Sequence, residues 1–525
     1  MKLGVAIALV VAALALAAPH GAWATVIDLG DARSSVRLDG QAARDQAASS
    51  LSNASDVNGD GHPDFIVGSP QSDSHGRHDN GSAFVVYGGD GLSGPRHRKL
   101  GSNGFRIDGA NAGDLAGTAV AGAGDFNGDG IDDVIVGARL AGPDQVGAAY
   151  VIYGQRTADL QDVDLAKITT TQAARGMEIL GANQFDNTGE RVAGGRDINF
   201  DQVDDVVVAA PGADNNDRIT SGSAFVVYGQ QTADPIDVDL FQAQNAQSQR
   251  AMEIDGADGN DIAGFGVAMS RDLNDDGIGD VLVGAPGAGN NKRNQSGSVY
   301  VLYGMNGDDV PDVDLAKITT TQAASGMRID GAGVLDGLGQ SIAADRDLNG
   351  DGIADAITGA PRNRNDAGAA YVIYGRQGDA PDVDLAKLGT TQNARGMRIL
   401  GANSGFEAGW AVDSGRDVNG DGRADAVVGA MDGSGKHFNS GLTYVVFGAK
   451  AADPKDVQLS KITSSPSSRG LRIDGAARDD KSGYSVAASP GDLNDDGRPD
   501  VLVGTPFTHN NGQESGSAYV VGIPR

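Results

Sequence analysis

The 525-residue chain contains no cysteine and only seven histidines. The lack of cysteine excludes disulfides, and with so few histidines it argues against thiol catalysis and zinc chemistry. The one histidine cluster, His75-Gly76-Arg77-His78, is more typical of a solvated loop than of a transition-metal site. A chain without disulfides must gain its rigidity from a buried core and from bound ligands.

Long apolar runs are missing after the first two dozen residues. No later segment approaches the roughly 20 apolar residues of a membrane-spanning helix. Residues 1–24 match a secretory signal, with a charge at Lys2, an apolar stretch over 5–18 and an A-x-A cleavage motif at 22–24. This pattern predicts a secreted protein, extracellular or periplasmic, with residues 25–525 as its mature domain.

Basic residues are outnumbered, since 41 Lys and Arg stand against 70 Asp and Glu, for a formal net charge of −29. Such a charge argues against nucleic acid and anionic membranes as partners. Seven copies of one motif, each with aspartate at positions 1, 5 and 9, hold 21 of the 70 acidic residues. Seven bound Ca2+ would change the net charge from −29 to −15, so much of the acidity is interpreted as metal ligand.

The motif is Asp-x-Asn-x-Asp-Gly-x-x-Asp followed by an apolar run. Its copies start 69, 72, 75, 75, 70 and 75 residues apart, at Asp56, Asp125, Asp197, Asp272, Asp347, Asp417 and Asp492. A regular period of this size indicates a repeat architecture.

The spacing within the motif suits calcium. Oxygens at positions 1, 3, 5 and 9, with the backbone carbonyl of position 7, would converge on one ion, and Ca2+ takes about six to eight oxygens. Glycine at position 6 supplies the positive φ that the turn needs. The predicted ligands of up to seven Ca2+ are Asp56, Asn58, Asp60, His62 and Asp64; Asp125, Asn127, Asp129, Ile131 and Asp133; Asp197, Asn199, Asp201, Val203 and Asp205; Asp272, Asn274, Asp276, Ile278 and Asp280; Asp347, Asn349, Asp351, Ile353 and Asp355; Asp417, Asn419, Asp421, Arg423 and Asp425; and Asp492, Asn494, Asp496, Arg498 and Asp500.

Two other interpretations of the motif fit less well. An Asx-rich hairpin turn needs Asn-Gly or Asp-Gly but no carboxylate at position 9. An EF-hand closes a twelve-residue loop with Glu and continues as a helix, whereas a strand-like run follows here. In the third copy, Phe200 and Gln202 replace the usual residues at positions 4 and 6. That site is therefore expected to bind calcium most weakly or not at all.

Four strand-like segments accompany each motif, with no helical periodicity between them. A short small-residue strand precedes the motif, a β-branched strand follows it, and a third strand usually ends in Tyr. A fourth follows a spacer such as residues 163–167. Four strands repeated seven times predict an all-β, seven-bladed β-propeller with four antiparallel strands per blade. A straight solenoid, the competing architecture, would need polar capping repeats, and none is visible.

The two ends of the sequence complement each other. The last repeat stops after its third strand, near Val521, and the start of the mature chain carries a spare fourth-strand sequence over residues 36–40. We therefore expect an N-terminal strand to complete the last blade and close the ring, which would remove two open sheet edges.

These repeats resemble the FG-GAP repeats of the integrin α-subunit propeller. Phe-Gly is literal at residues 265–266, and Gly-Ala-Pro is literal at 284–286 and 359–361. The resemblance covers about residues 26–522 and implies Ca2+ held between the first two strands of a blade, in only some blades of the family. A WD-type propeller is disfavoured because Trp23 and Trp410 are the only tryptophans.

The resemblance implies a non-enzymatic adhesion or ligand-binding module, expected to be a monomer, with an extracellular protein or glycan as its partner. FG-GAP propellers also accompany a secreted phospholipase whose chemistry lies in a separate domain, which we do not expect in this chain. The alternative is a calcium-dependent extracellular hydrolase or lyase acting on polysaccharide or lipid-linked glycan, since the many acidic residues offer numerous carboxylate pairs. The loops predicted to form the recognition face are 72–80, 214–221, 290–296, 363–366 and 508–514.

Overall fold

A computed structural model describes most of the chain, and the predicted secretory signal lies outside the described residues. Those residues form seven five-stranded sheets, the blades of a β-propeller. The first strands of successive blades contact one another around the ring, and the first strand of blade 7 contacts that of blade 1. The described ranges are 26–31, 35–92, 97–101, 103–157, 160–232, 235–243, 250–307, 311–322, 325–378, 380–450, 456–463, 467–489 and 491–523.

Four strands of each blade form an antiparallel meander that runs from the centre outward, which confirms the predicted fold class. From first to fourth strand, blade 1 holds Ser50–Ser55, Asp64–Ser69, Ser82–Val86 and Gly104–Asp108; blade 2, Ala119–Gly124, Asp133–Ala138, Ala148–Ile152 and Gly176–Leu180; blade 3, Arg191–Arg196, Asp205–Ala210, Ser223–Val227 and Ala251–Asp255; blade 4, Gly266–Ser270, Asp280–Ala285, Ser298–Leu302 and Gly326–Asp330; blade 5, Ile342–Arg346, Asp355–Ala360, Ala369–Ile373 and Gly396–Leu400; blade 6, Val412–Ser414, Ala426–Ala430, Leu442–Val446 and Gly470–Asp474; and blade 7, Ser485–Ala488, Asp500–Thr505, Ser517–Gly522 and Ser35–Asp39.

Each blade also carries a short fifth strand that the sequence did not predict. It pairs in parallel with the fourth strand and comes from the spacer of the next blade, so each blade covers the outer edge of its predecessor. The fifth strands of blades 1 to 7 are Val163–Asp164, Val238–Asp239, Val313–Asp314, Val383–Asp384, Val457–Gln458, Val26–Asp28 and His97–Lys99.

The N-terminal segment closes the ring as predicted. Ser35–Asp39 pairs antiparallel with the third strand of blade 7, from Val521 at one end to Ser517 at the other. The preceding strand, Val26–Asp28, pairs in parallel with blade 6. The N-terminal segment therefore joins two blades made by the C-terminal part of the chain.

The core lies between blades and not within them. Seven apolar clusters each combine side chains of two neighbouring blades, and one of them joins blade 7 to blade 1. Because both faces of a blade are covered, its second strand is buried along its whole length, as in Asp133–Ala138. This explains why these strands are continuous apolar runs in the sequence.

The helical segments of the described chain are single turns in the connections. They are Gly89–Leu92, Pro143–Gln145, Leu165–Lys167, Ala173–Arg175, Leu240–Ala243, Leu315–Lys317, Asn363–Asp366, Leu385–Lys387, Asn393–Arg395 and Leu459–Lys461.

Candidate metal centres and the central channel

All seven aspartate motifs lie in the turn between the first and second strands of a blade. They share one face of the propeller, which we call the lower face. The opposite, upper face carries the loops between second and third strands and the connections between blades. The last aspartate of each motif begins the second strand or directly precedes it.

We number the seven loops after their blades, and loop 2, residues 125–133, represents the geometry of the motif. The Asp125 carboxylate accepts the backbone N–H groups of Asp129 at 2.8 Å and Gly130 at 2.9 Å. The Asn127 side-chain oxygen accepts the same Asp129 N–H at 2.9 Å. The Asp129 carboxylate in turn accepts the N–H of Ile131 at 3.0 Å. These contacts bring the side-chain oxygens of positions 1, 3 and 5 into one tight turn.

The turn is the same around the ring. In all seven loops the carboxylate at position 1 accepts the N–H of position 5, at 2.8–3.2 Å. It also accepts the N–H of position 6 in each loop. The N–H of the position-7 residue donates to the position-5 carboxylate in His62, Ile131, Val203, Ile278, Ile353 and Arg423. In loop 6 the Arg423 side chain also contacts the Asp421 carboxylate, at 2.7 Å.

The aspartate at position 9 anchors the loop inside the blade. Asp133 is fully buried and accepts the N–H of Phe126 at 3.1 Å and that of Gly154 at 2.9 Å. A Cβ on Gly154 would lie 2.3 Å from the carbonyl oxygen of Asp132, so only glycine fits there. Sequence reasoning missed this glycine and its equivalents, although the recurring Tyr-Gly at the end of the third strand marks them. The equivalents that donate to position 9 are Gly88, Gly229, Gly304, Gly375 and Gly448.

Burial raises the pKa of every position-9 carboxyl. Hydrogen bonds from backbone N–H groups oppose that shift, and the nearby carboxylates of positions 5 and 1 add to it. The pKa is about 7 for Asp64, Asp280 and Asp425, about 8 for Asp355 and Asp500, and well above the usual range for Asp133 and Asp205. Three carboxylates therefore lie close enough to repel one another when ionised, an arrangement that a cation would stabilise.

The donor set fits a hard cation. The side-chain donors are all oxygens, from three carboxylates and one amide, and Ca2+ prefers such oxygens. In loop 5, the buried Asn349 Oδ1 has no hydrogen-bond partner among the described residues, because the amide nitrogen donates to Asp355. A buried acceptor without a partner is costly, and a cation bound by Asp347 and Asp351 would satisfy it.

Loop 3 keeps the shared turn despite its two substitutions. Phe200 and Gln202 adopt φ of 64° and 73°, in the left-handed region. In the other loops glycine or aspartate adopts it at position 4, and glycine stands at position 6. The Gln202 N–H still donates to Asp197 at 2.7 Å, and Ile198 N–H still donates to Asp205 at 2.8 Å. The left-handed conformation costs a non-glycine residue about 1–2 kcal/mol, so loop 3 holds the same ligand geometry with more backbone strain.

Loops 1, 2 and 3 are tied together across blades by two hydrogen bonds, which sequence reasoning missed. Asp132, at position 8 of loop 2, accepts the backbone N–H of Asp56 at 3.1 Å. Asp204, at position 8 of loop 3, accepts the N–H of Asp125 at 3.0 Å. In the other loops position 8 is Pro63, Gly279, Ala354, Ala424 or Pro499.

The central channel has an upper and a lower half, separated by apolar side chains of the first strands. The upper half has a volume of about 400 Å³ and is lined by Phe265, Trp410 and Tyr484, among others. The Arg191 guanidinium lies 5.2 Å from the centre of the Phe265 ring. The lower half has a volume of about 510 Å³ and is lined by arginines and aspartates.

The loops predicted to form a recognition face all lie on the upper face. Three of them are held by an arginine that reaches the fifth strand of the same blade. Arg77 contacts Asp164 at 2.7 Å, and Arg218 contacts Asp314 at 2.9 Å. The third pair, Arg293 and Asp384, is equivalent. These loops are thus bound to the outer edge of the propeller as well as to their own strands.

The histidine cluster lies on an exposed upper loop. His78 Nδ1 is 2.9 Å from Asp73, and Asp79 completes the one group of His and Asp in the described residues with ligand atoms within 4.8 Å of one another. The side chain of His78 is 80% exposed. The neighbouring His75 contacts the buried Asp108 at 3.0 Å. Among the described residues, no helix is long and apolar enough to cross a membrane.

Comparison with known proteins supports the repeat assignment. The FG-GAP repeat model matches residues 47–86, 116–152, 263–302, 338–373, 408–446 and 483–521. Each segment covers the first three strands of a blade, and together they account for blades 1, 2, 4, 5, 6 and 7. Blade 3, which contains the substituted loop, lies outside the matched segments.

The chain is similar to two kinds of curated protein. It is 30% identical over 254 residues to integrin alpha pat-2 of Caenorhabditis elegans, which is 48% of this chain and 18% of that protein. It is 33% identical over 193 residues to phosphatidylinositol-glycan-specific phospholipase D of Bos taurus, 34% of this chain and 21% of that protein. It is 31% identical over 186 residues to human integrin alpha-11, which is 35% of this chain and 13% of that protein.

The matches thus span about a fifth or less of the length of these relatives. One kind of relative is an integrin chain and the other is named as an enzyme, so similarity alone supports the propeller and not an activity. The repeat assignment is supported by the six matched repeats, by the closed ring of seven blades and by the shared position of the motifs. The chain therefore carries FG-GAP repeats, and its fold is a seven-bladed propeller of the FG-GAP type, similar to part of the integrin α chains.

Proposed function

We propose that this chain is a secreted, calcium-binding propeller that acts as a non-enzymatic adhesion or ligand-binding module. The observation that supports the proposal is the hydrogen-bonded turn shared by all seven lower-face loops, which carries three aspartates and one asparagine in the same order. The buried aspartate of each loop is electrostatically coupled to the carboxylates at positions 1 and 5, as Asp280 is to Asp276 and Asp272. Oxygen ligands in this number favour Ca2+ over softer ions.

In this proposal, positions 1, 3, 5 and 9 of each loop would hold the ion through side chains and position 7 through its carbonyl. Bound calcium would supply the positive charge that offsets the mutual repulsion of the carboxylates. Position 2 is a buried apolar residue whose N–H bonds the position-9 aspartate, as Leu273 bonds Asp280 at 2.6 Å. Calcium would therefore stabilise the link between the first two strands of a blade, in a protein that has no cysteine.

The upper face is the proposed recognition surface. Its loops are polar and surround the aromatic mouth of the channel, and three of them are held by the Arg–Asp pairs. Secretion is supported by the signal-like sequence of residues 1–24 and by the similarity to integrin α chains. Binding residues commonly lie on loops positioned by a rigid scaffold.

Calcium titration of the purified protein tests the metal assignment. We expect six strong sites by calorimetry and by metal analysis after dialysis, with loop 3 weaker or empty. Asp276→Asn should remove one strong site. Its matched control is Asp275→Asn, which removes the same charge from the neighbouring, exposed residue outside the ligand set. Equal loss of calcium in both variants, or no calcium binding by the parent protein, would refute the assignment.

The adhesion role needs a separate experiment. We expect saturable binding on arrays of glycans and matrix proteins that is lost when calcium is removed, without release of sugar or phosphate. The alternative is a calcium-dependent hydrolase or lyase acting on polysaccharide or lipid-linked glycan, favoured by the similarity to a phospholipase. Turnover of any arrayed glycan by the purified chain would replace the first proposal with the second.

A further inference from the structure

Arginines gather on one side of the lower half of the channel. They come from four consecutive blades, and each directly precedes the first aspartate of a lower-face loop. The same place in blades 1, 2 and 7 holds Ser55, Gly124 and Gly491. The basic side of the channel is thus formed by blades 3 to 6, through Arg196, Arg271, Arg346 and Arg416.

Two of these arginines are paired with one strained aspartate. Asp345 contacts the Arg196 guanidinium two blades away at 2.6 Å, and its other oxygen lies 3.6 Å from Arg346. Asp345 has φ of 122° at a β-bulge between Ala344 and Arg346. A non-glycine residue rarely adopts this conformation, and such strain is typical of functional sites, where bulges redirect side chains.

The two remaining arginines have no carboxylate partner among the described residues. Arg271 and Arg416 are exposed to the channel, and neither makes an ion pair or a side-chain hydrogen bond with any described residue. The nearby Asp413 is already engaged, because its carboxylate accepts the N–H groups of Ala488 at 2.6 Å and Ser414 at 2.8 Å. The chain has a net charge of −29. Two arginines that face one cavity without a carboxylate partner among the described residues therefore indicate a binding site for an anionic ligand.

The wall of the cavity formed by the loops of blades 2 and 3 repels anions. It carries Asp132 and Asp204, whose carboxylates are committed to the backbone N–H groups of Asp56 and Asp125. An anion that enters the lower half would therefore move to the side of blades 4 to 6. The apolar side chains of the first strands, such as Val267 and Ile342, bound the cavity from above and lower the local dielectric constant, which strengthens charge interactions.

We propose that the lower half of the channel binds an oxyanion, the carboxylate or sulfate group of a small acidic ligand, between Arg271, Arg346 and Arg416. Guanidinium groups present paired N–H donors that match these oxyanions. A cavity of about 510 Å³ is within the usual range for small-molecule sites. This site is separate from the lower-face metal loops and from the proposed recognition loops on the upper face.

Calorimetry of the full-length protein, with calcium present and at low ionic strength, tests the proposal. Sodium sulfate and sodium glucuronate are the two probes. We expect at least one of them to bind with a stoichiometry of one per chain, and the probe that binds identifies the preferred group. The double variant Arg271→Gln/Arg416→Gln should weaken binding by about tenfold or more, in line with the loss of charge-assisted hydrogen bonds.

Arg478→Gln is the matched control, because Arg478 is an exposed arginine of the blade 6–7 connection on the upper face. It should bind the probe like the parent protein. Melting temperatures establish that all variants fold. If the double variant does not fold, the single variant Arg416→Gln gives a second measurement of probe binding. Binding of neither probe by the parent protein, or equal weakening in the control and the channel variants, would overturn the proposal.

Discussion

Loops 3 and 4 are neighbours on the lower face and differ in how they reach the same shape. In loop 4, Gly277 takes the positive φ at position 6, and in loop 3 Gln202 takes it. The hydrogen bonds from position 6 to position 1 are equal in the two loops, at 2.7 Å. At position 4, Asp275 and Phe200 both have positive φ, and aspartate tolerates it better than phenylalanine.

The comparison separates ligand geometry from its energetic cost. The side-chain hydrogen bonds and the buried position-9 aspartate define the turn, since they are present in both loops. Glycine at position 6 only makes that turn less strained. A Cβ added at Gly277 would meet no atom within 4 Å, so the difference between the loops is one of backbone conformation and not of steric fit.

Removal of calcium from all loops should have the largest effect. A ligand that binds only the folded state adds about 2.7 kcal/mol at 100 times its Kd. Six such sites, in a domain for which 1 kcal/mol corresponds to about 1 °C, should raise the Tm by about 15 °C. Thermal melts with calcium and with chelator measure the shift, with magnesium as the control ion. A Tm that chelator leaves unchanged would show that the loops hold no stabilising ion.

The pH dependence of the calcium-free protein should be the next largest effect. The pKa of the position-9 aspartates is raised in the fold, to about 7 in Asp280 and about 8 in Asp355. Between pH 4 and 8 the folded protein therefore binds more protons than the unfolded chain, so its stability falls as pH rises. Denaturant unfolding of dialysed protein at pH 5, 6, 7 and 8 should show this fall, and saturating calcium should abolish it. Stability that rises over this range without calcium would contradict the expectation.

Single-site variants then compare the two loops directly. Asp276→Asn in loop 4 should lower the Tm in saturating calcium by about 2–3 °C, because one site is lost. Asp201→Asn at the same position of loop 3 should lower it by less than half as much, since that site is expected to bind weakly. Both variants remove the same charge at an exposed position. Equal losses would show that loop 3 binds calcium as well as loop 4.

The smallest effect is expected from exchanging the residues at position 6. Gly277→Gln should weaken loop 4 and Gln202→Gly should strengthen loop 3, each by about 1–2 kcal/mol or less, the cost of the left-handed conformation. Calorimetric titration of calcium in the two variants measures the exchange. Gly352→Gln in loop 5 repeats the test of Gly277→Gln, because a Cβ added at Gly352 would also meet no atom within 4 Å. A weaker loop 3 after Gln202→Gly would show that Gln202 contributes a contact of its own.

The fold was largely predictable from the sequence. The repeat period and the four apolar segments predicted the blades, and the spare strand over residues 36–40 predicted the closure that Ser35–Asp39 makes. The fifth strands were missed because two residues such as Val163–Asp164 carry no periodic signal. The tight turn that carries the predicted ligands followed from the spacing of the motif, because its hydrogen bonds join residues close together in the chain. Whether those ligands bind calcium remains a prediction.

Contacts between distant parts of the chain were not predictable. The sequence alone determined the number of repeats, the positions of the aspartate loops and the apolar strands, since these depend on residues close together in the chain. Only the tertiary structure decided that Asp132 bonds the preceding loop and that Arg196 meets Asp345 across the channel. It also decided that two arginines there have no ion-pair partner among the described residues. Such contacts depend on the closure of seven blades into a ring, which brings together side chains far apart in the sequence.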